Sequence, residues 1–316
     1  MKQITTPLTR LLGFGGANGV RRELTTVKGI LESRGTPHAF HLPVGVGYMG
    51  WKLDEAGPEA TAMLDAALES NVQAIWLALG KDFKPYVNHI RQHDATTGHR
   101  TLIFIVVNSV AEALVAANEL KADVIVAQGI ESGGHGAGDA LPVFPLVSNI
   151  LSALPKDGPP VLPAGGITTG AQVAAFLALG ASGVVMGTRF LLTPDSSLSA
   201  SQRQALLNAD ATQTVRSTAF DQARNTLGWP QGVDGRALRN KITHDVEQGI
   251  DMRTIQERVA EGTKQGAPEY SIIFAGTGVG EIHEVKDVKD VLKDIHSDTN
   301  QRIHALTHLI HECHQA

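Results

Sequence analysis

A single imidazole, His135, stands among five glycines in the stretch AQGIESGGHGAGD (127–139), directly after an apolar run. Imidazole exchanges a proton near neutral pH, so a histidine on a strand-end loop can act as a base. Gly133 and Gly134 beside it let the backbone pass close to a flat cofactor ring. The plain alternative is a surface-loop histidine. Position favours the base, because (β/α) barrels gather catalytic groups on the loops at the C-terminal ends of their strands.

Two more glycine-bearing strand ends follow. AGGITTGAQV places Gly165 and Gly166 at a strand end, with Thr168 or Thr169 as N-cap of the next helix, and VVMGTRF ends on Gly187 and Thr188. Backbone amides and a helix N-terminus at such places suit a phosphate, and in a barrel the loops after the last two strands commonly share one. The same glycines could serve tight turns alone. A rival motif, GVGYMG (45–50), has the dinucleotide pattern G-x-G-x-x-G, but WKLDEAGP follows where a helix should open, and Gly80 and Lys81 stand where an acid should close the next strand. Near the C-terminus His304, His308 and His311 share a helical face. With no carboxylate or thiolate at matching spacing, they read as a solvated stripe and not as a metal site.

The elements that must carry these residues are βα units. Apolar runs at 39–46, 72–80, 101–108, 123–129, 160–166 and 182–188 alternate with helical patterns such as SVAEALVAANEL (109–120), which predicts a parallel sheet with both faces covered. After Phe190 polar helical segments fill 196–269 and read as a helical lid. YSIIFAGTGVG (270–280) then returns to the barrel before a C-terminal helix, giving segments 1–195, 196–269 and 270–316. The chain has 316 residues and a net charge of −5, so no basic field invites nucleic acid or an anionic membrane. One cysteine, Cys313, fits a reducing compartment, and no run nears the roughly 20 apolar residues of a membrane span. These features predict a cytoplasmic protein.

AQGIESGGH, PVLPAGGITTGAQVAAFLALGASGVVMGTRFL, RNTLGWPQGVDGRALRN and FAGTGVG, in that order between about residues 39 and 285, resemble the nitronate monooxygenase family, formerly called 2-nitropropane dioxygenases. The resemblance implies an FMN-dependent TIM barrel with a helical lid. It implies that His135 is the base beside the flavin. Gln128, Gly129, Ser132, Gly133 and Gly134 would lie along the flavin and ribityl chain, and Gly165, Gly166, Gly187 and Thr188 would cradle the FMN phosphate. The implied reaction converts an alkyl nitronate, or a nitroalkane first deprotonated by His135, with O2 to a carbonyl compound and nitrite. The partners would be small molecules, and an oligomer is possible.

Against that family pattern the opening TPLTRLLG (6–13) runs directly into FGGANGVRRELTTVKGILESRG, as if about 40 residues, one βα unit plus a strand, were missing. The expectation is an α/β, TIM-barrel-like parallel barrel lacking its first two strands, with open edges at 39–46 and 182–188 and weaker FMN binding on the ring side. Alternatively, ITTPLTRLLGFGG supplies a substitute strand. Two other functions fit: an FMN-dependent NAD(P)H:quinone or enoyl reductase of the same fold, or a degenerate non-catalytic barrel.

Overall fold

The computed structural model describes residues 9–11, 15–35, 41–265 and 267–313. The chain divides into two compact units, the first formed by residues 1–107, 111–126 and 154–160, the second by 108–110, 127–153 and 161–316.

In the first unit strands and helices alternate: β1 (Thr9–Leu11), α1 (Gly16–Ser33), β2 (Leu42–Met49), α2 (Gly50–Ala56), α3 (Pro58–Leu68), β3 (Val72–Ala78), α4 (Lys84–Thr97), β4 (Leu102–Val107), α5 (Val110–Asn118) and β5 (Val124–Gln128). β1 to β4 pair in parallel with their sequence neighbours. The strands are apolar nearly throughout because both faces of the sheet are covered. Val46, Ile75, Leu77, Ile103 and Ile105 are all buried, and Trp76 stacks on Phe104 across the β3–β4 pair at 5.3 Å. Asp94 ties the end of α4 to the start of β4 by accepting the amide (3.1 Å) and hydroxyl (2.8 Å) hydrogens of buried Thr101.

The expected open edge at 39–46 is a correction. β1 pairs with β2 in the register Thr9↔Gly45, Arg10↔Val46 and Leu11↔Gly47. Part of the opening segment therefore lies along the first run, while residues 4–8 and 12–14 of that segment and 39–40 of the run lie outside the described residues. The dinucleotide motif fails for a reason other than the expected one. A helix does open at once, at Gly50, but Gly45 and Gly47 sit within β2, opposite Ala74 and Trp76, and leave no phosphate turn. Pro58 opens α3 as its fixed φ favours.

The second unit holds β6 (Gly134–Ala137), α6 (Val143–Ala153), β7 (Val161–Ala164), α7 (Gly170–Leu179), α8 (Ala200–Leu207), β8 (Thr214–Ser217), α9 (Ala219–Arg224), β9 (Val233–Leu238), α10 (Lys241–Glu247), α11 (Met252–Gln265) and α12 (Val288–Cys313). In the first unit the hydrogen-bonded strand order is β1-β2-β3-β4-β5. The run at 182–188, read as a sixth full strand, makes a single parallel bridge, Val185 to Ala164, and then a 3₁₀ turn over Thr188–Leu192. Val184 and Val185 favour a strand, but Gly183 and Gly187 on either side weaken a longer pairing.

The segment 196–269 carries helices α8 to α11 and between them two strands. β8 and β9 join β6 in an antiparallel sheet ordered β6-β9-β8. Ala219, Phe220 and Ala223 of α9 pack with Ala237 of β9, Ile242 of α10, and Ile255 and Val259 of α11 in a core of their own. Burying Phe220 completely contributes roughly 2–3 kcal/mol, which fixes α9 against β9. Among the described residues no helix is long and apolar enough to cross a membrane.

Candidate active site

His135 lies on β6, not on an irregular loop, and pairs with Gly235 of β9. A residue with so many glycine neighbours forms a strand because β9 supplies its partners. The absence of a side chain at Gly235 makes room for the imidazole, since a Cβ there would stand 2.9 Å from the Phe274 ring and 3.4 Å from His135 Nε2. The imidazole stacks face to face on Trp229, with centroids 3.6 Å apart and planes 9° from parallel, and Phe274 stands tilted against it at 5.1 Å. His135 Nε2 is 2.9 Å from Asp221 Oδ2, with side-chain exposures of 12% and 6%.

Asp221 is itself held. Its Oδ1 accepts a hydrogen bond from Thr226 Oγ1 (2.9 Å), and Arg224 Nη2 lies 3.6 Å away. Burial pushes its carboxyl up, but the hydrogen bond and charge of His135, the Thr226 hydroxyl and Arg224 outweigh that and hold it below the usual range. An ionised carboxylate can only accept, so the proton between the two residues sits on Nε2. In the neutral ring that leaves Nδ1 as the basic nitrogen.

The glycine-rich turns are drawn together around 275–278. Gly129 N donates to Ala164 O (2.9 Å) and Ser132 N to Gly129 O (3.1 Å). Gly165 and Gly166 adopt φ of +123° and +68°, which side chains rarely tolerate, and a Cβ on Gly165 would stand 3.2 Å from Gly129 O and Ser132 N. Gly133 passes so close to the backbone of Ala275 and Gly276 that a Cβ would overlap it. Thr188 Oγ1 accepts the Gly276 amide at 2.9 Å, which brings the 187–188 turn to the same place. Gly187 and Gly134 face open space, with no atom within 4 Å of an added Cβ. Gln128 lies behind β6, where Nε2 reaches His135 O at 3.5 Å and its own carbonyl is held by Asn108 Nδ2 at 2.7 Å. Ser132 Oγ is buried and has no hydrogen-bond partner among the described residues, in a residue 6% exposed. Such a hydroxyl costs about 1–3 kcal/mol unless something bonds to it.

Thr169 is the N-cap of α7, closing a capping box with Gln172. The helix N-terminus is less open than expected, because Asp298 of α12 accepts the Ala171 amide at 2.8 Å. His304 lies on α12; His308 and His311 fall outside the residues whose side chains are described.

Reasoning from sequence missed Asp221, Phe274 and Glu131. Asp221 is 86 positions from His135, so no local spacing could reveal it. Glu131 joins three segments, its carboxylate accepting Val143 N (2.9 and 3.0 Å) and its carbonyl accepting Thr277 N (3.0 Å). The glycine spacing of FAGTGVG was the available signal for that junction.

Comparison with known proteins gives a consistent answer. The nitronate monooxygenase of Metarhizium robertsii is 32% identical over 262 residues, spanning 80% of this chain and 72% of that protein. The nitronate monooxygenase of Neurospora crassa is 30% identical over 254 residues, 76% of this chain and 67% of its own. Among solved structures, FabK from Thermotoga maritima superposes with a TM-score of 0.71 at 25% identity, covering 94% of this chain and 86% of that one. Nitroalkane oxidase from Streptomyces ansochromogenes gives 0.71 at 21% identity, covering 94% and 89%, a likeness of fold alone. The fold is accordingly α/β and TIM-barrel-like. The model of the family described as nitronate monooxygenase matches residues 55–298, most of the chain and all of the site above, and the chain is thus an enzyme of the nitronate monooxygenase family.

Proposed function

We propose that this chain is an FMN-dependent oxidoreductase that converts alkyl nitronates, and nitroalkanes after deprotonation, with O2 to a carbonyl compound and nitrite. The observation that carries the reading is a juxtaposition. A carboxylate-held imidazole, His135, directly follows the turn whose Ser132 hydroxyl is buried with no partner among the described residues. That orphan hydroxyl and the open space at Gly134 and Gly187 fit a bound FMN. Gly165, Gly166, Gly187 and Thr188 would hold its phosphate, and Gln128, Gly129, Ser132, Gly133 and Gly134 would line the ring and ribityl chain. Family membership and the names of the two fungal relatives support the substrate class.

FMN, when bound, supplies the electron acceptance and the reaction with O2 that no side chain here can supply. The residues do the rest. Trp229 and Phe274 flank the imidazole and limit water around it. His135 takes the carbon-bound proton of a neutral nitroalkane, and a nitronate needs no such step.

An aerobic assay of nitrite release tests this. The expected result is nitrite from a propyl nitronate without any nicotinamide, with His135→Ala keeping nitronate turnover and losing at least about 100-fold on the neutral nitroalkane. NADH or NADPH consumption with no nitrite from either substrate would overturn it.

A further inference from the structure

We infer that Asp221 is a positioning residue that holds His135 in the Nε2–H form, and that Nδ1 is therefore the atom that receives the substrate proton. The inference rests on the reading that His135 is the base, and it deepens that reading.

The carboxylate is built in, and the imidazole cannot easily leave it. Phe220, the residue before Asp221, is fully buried in the core of α9, β9, α10 and α11, so packing sets the start of α9. Thr226 Oγ1 fixes the second carboxylate oxygen at 2.9 Å. On the other partner, Trp229 lies flat on the imidazole at 3.6 Å, so a flip exchanging the two ring nitrogens would require the indole to move, and Phe274 stands tilted against the imidazole at 5.1 Å. The pairing of His135 with Gly235 fixes the backbone from which the ring projects. One nitrogen is committed to Asp221 by packing that involves no substrate, and the other is left for chemistry.

The proton transfer balances without a further reactant. The carbon–hydrogen bond of the nitroalkane breaks, its electron pair moves into the carbon–nitrogen bond to give the nitronate anion, and the proton goes to Nδ1. Nothing is oxidised or reduced in this step. The resulting imidazolium donates from Nε2 to a carboxylate 2.9 Å away, so the charge that appears on the ring faces an opposite charge already in place. A preformed nitronate bypasses the step and should be indifferent to the pair.

Two measurements on the purified holoenzyme test this. The first is tautomer state by ring-nitrogen NMR, with the His135 signal identified among the 13 histidines by its loss in His135→Ala. Wild type is expected as Nε2–H and Asp221→Asn as a mixture or as Nδ1–H. The second is the ratio of nitroalkane to nitronate turnover, expected to fall about 10- to 100-fold in Asp221→Asn with nitronate turnover changed less than about 3-fold, a part of the roughly 10²–10⁴-fold that a positioned base contributes. Thr226→Val, which frees one carboxylate oxygen, should move the ratio the same way by a smaller factor, and serves if Asp221→Asn does not fold. A wild-type ring in the Nδ1–H form, or an Asp221→Asn enzyme with an unchanged ratio and tautomer, would overturn the inference. So would equal losses on both substrates. Full nitroalkane turnover by His135→Ala would instead remove the base reading beneath it, so the two failures are distinguishable.

Discussion

Glycines that look alike in the sequence do different work at the site, and the space around each one separates them. Gly133 runs against the backbone of Ala275 and Gly276, where an added Cβ would stand only 2.5 Å from Ala275 C, and neither chain can yield without shifting the other. Gly134 meets nothing but holds φ at +77°, so a side chain there is strained without clashing. Gly187 has an ordinary negative φ and open space. Alanine at 133 should therefore cost about 3 kcal/mol, at 134 about 1 kcal/mol, and at 187 close to nothing in denaturant unfolding of the cofactor-free protein. If Gly187 belongs to a phosphate cradle, its alanine variant should nevertheless bind FMN at least about 10-fold more weakly in a fluorescence titration, a loss of about 1.4 kcal/mol. A destabilised Gly187→Ala with wild-type FMN affinity would reverse the assignment. His135 was recognisable as a candidate base because glycines and an apolar run surround it. Its ionic partner was not, because Asp221 sits in a polar helical stretch that offers no pattern of its own.

At the scale of elements, the parallel strands were readable because burial on both faces leaves near-continuous Val, Ile and Leu. The sheet that carries His135 was not. β6 reads GHGA and β9 reads VDGRAL, sequences with little strand preference, and they pair because the tertiary fold brings them together. Arg216 on β8 holds that sheet. Its Nε meets Asp234 Oδ1 at 2.6 Å, its Nη2 reaches Gly136 O at 2.8 Å and Asp234 O at 3.0 Å, and its side chain is 9% exposed. Replacing it with Met keeps the bulk but leaves Asp234 and the Gly136 carbonyl without their donor. The expected cost is about 2–4 kcal/mol, below the most deeply buried pairs because Asp234 keeps some solvent. Hydrogen exchange should quicken first at residues 134–137 and 233–238. Uniform acceleration across the second unit would mean that Arg216 stabilises the whole unit and not this sheet in particular.

At the scale of the whole molecule, stability against pH should have two edges that begin in different units. Asp221, in the second unit, has a folded pKa held below its unfolded value of about 3.9. Its contribution is therefore complete above that value and is lost as pH falls through the folded pKa. Tyr48, in the first unit, is fully buried and donates to Met63 O at 2.6 Å; burial and then the charge of Asp65 push its phenol well above the usual value of about 10. For an acid raised in this way the contribution is complete below pH 10 and is lost as pH rises above it, because the unfolded chain can then ionise and the folded chain cannot. Between those edges these two groups leave the stability curve flat. Tyr48→Phe should cost about 1 kcal/mol at neutral pH, through the lost hydrogen bond, and should shrink the decline between pH 10 and 11.5 while leaving the acid side unchanged. Asp221→Asn should do the reverse, softening the acid edge and leaving the alkaline edge in place. Thermal unfolding of the two variants across pH measures both, and a Tyr48→Phe protein that declines above pH 10 as steeply as wild type would show that this phenol does not set the alkaline edge.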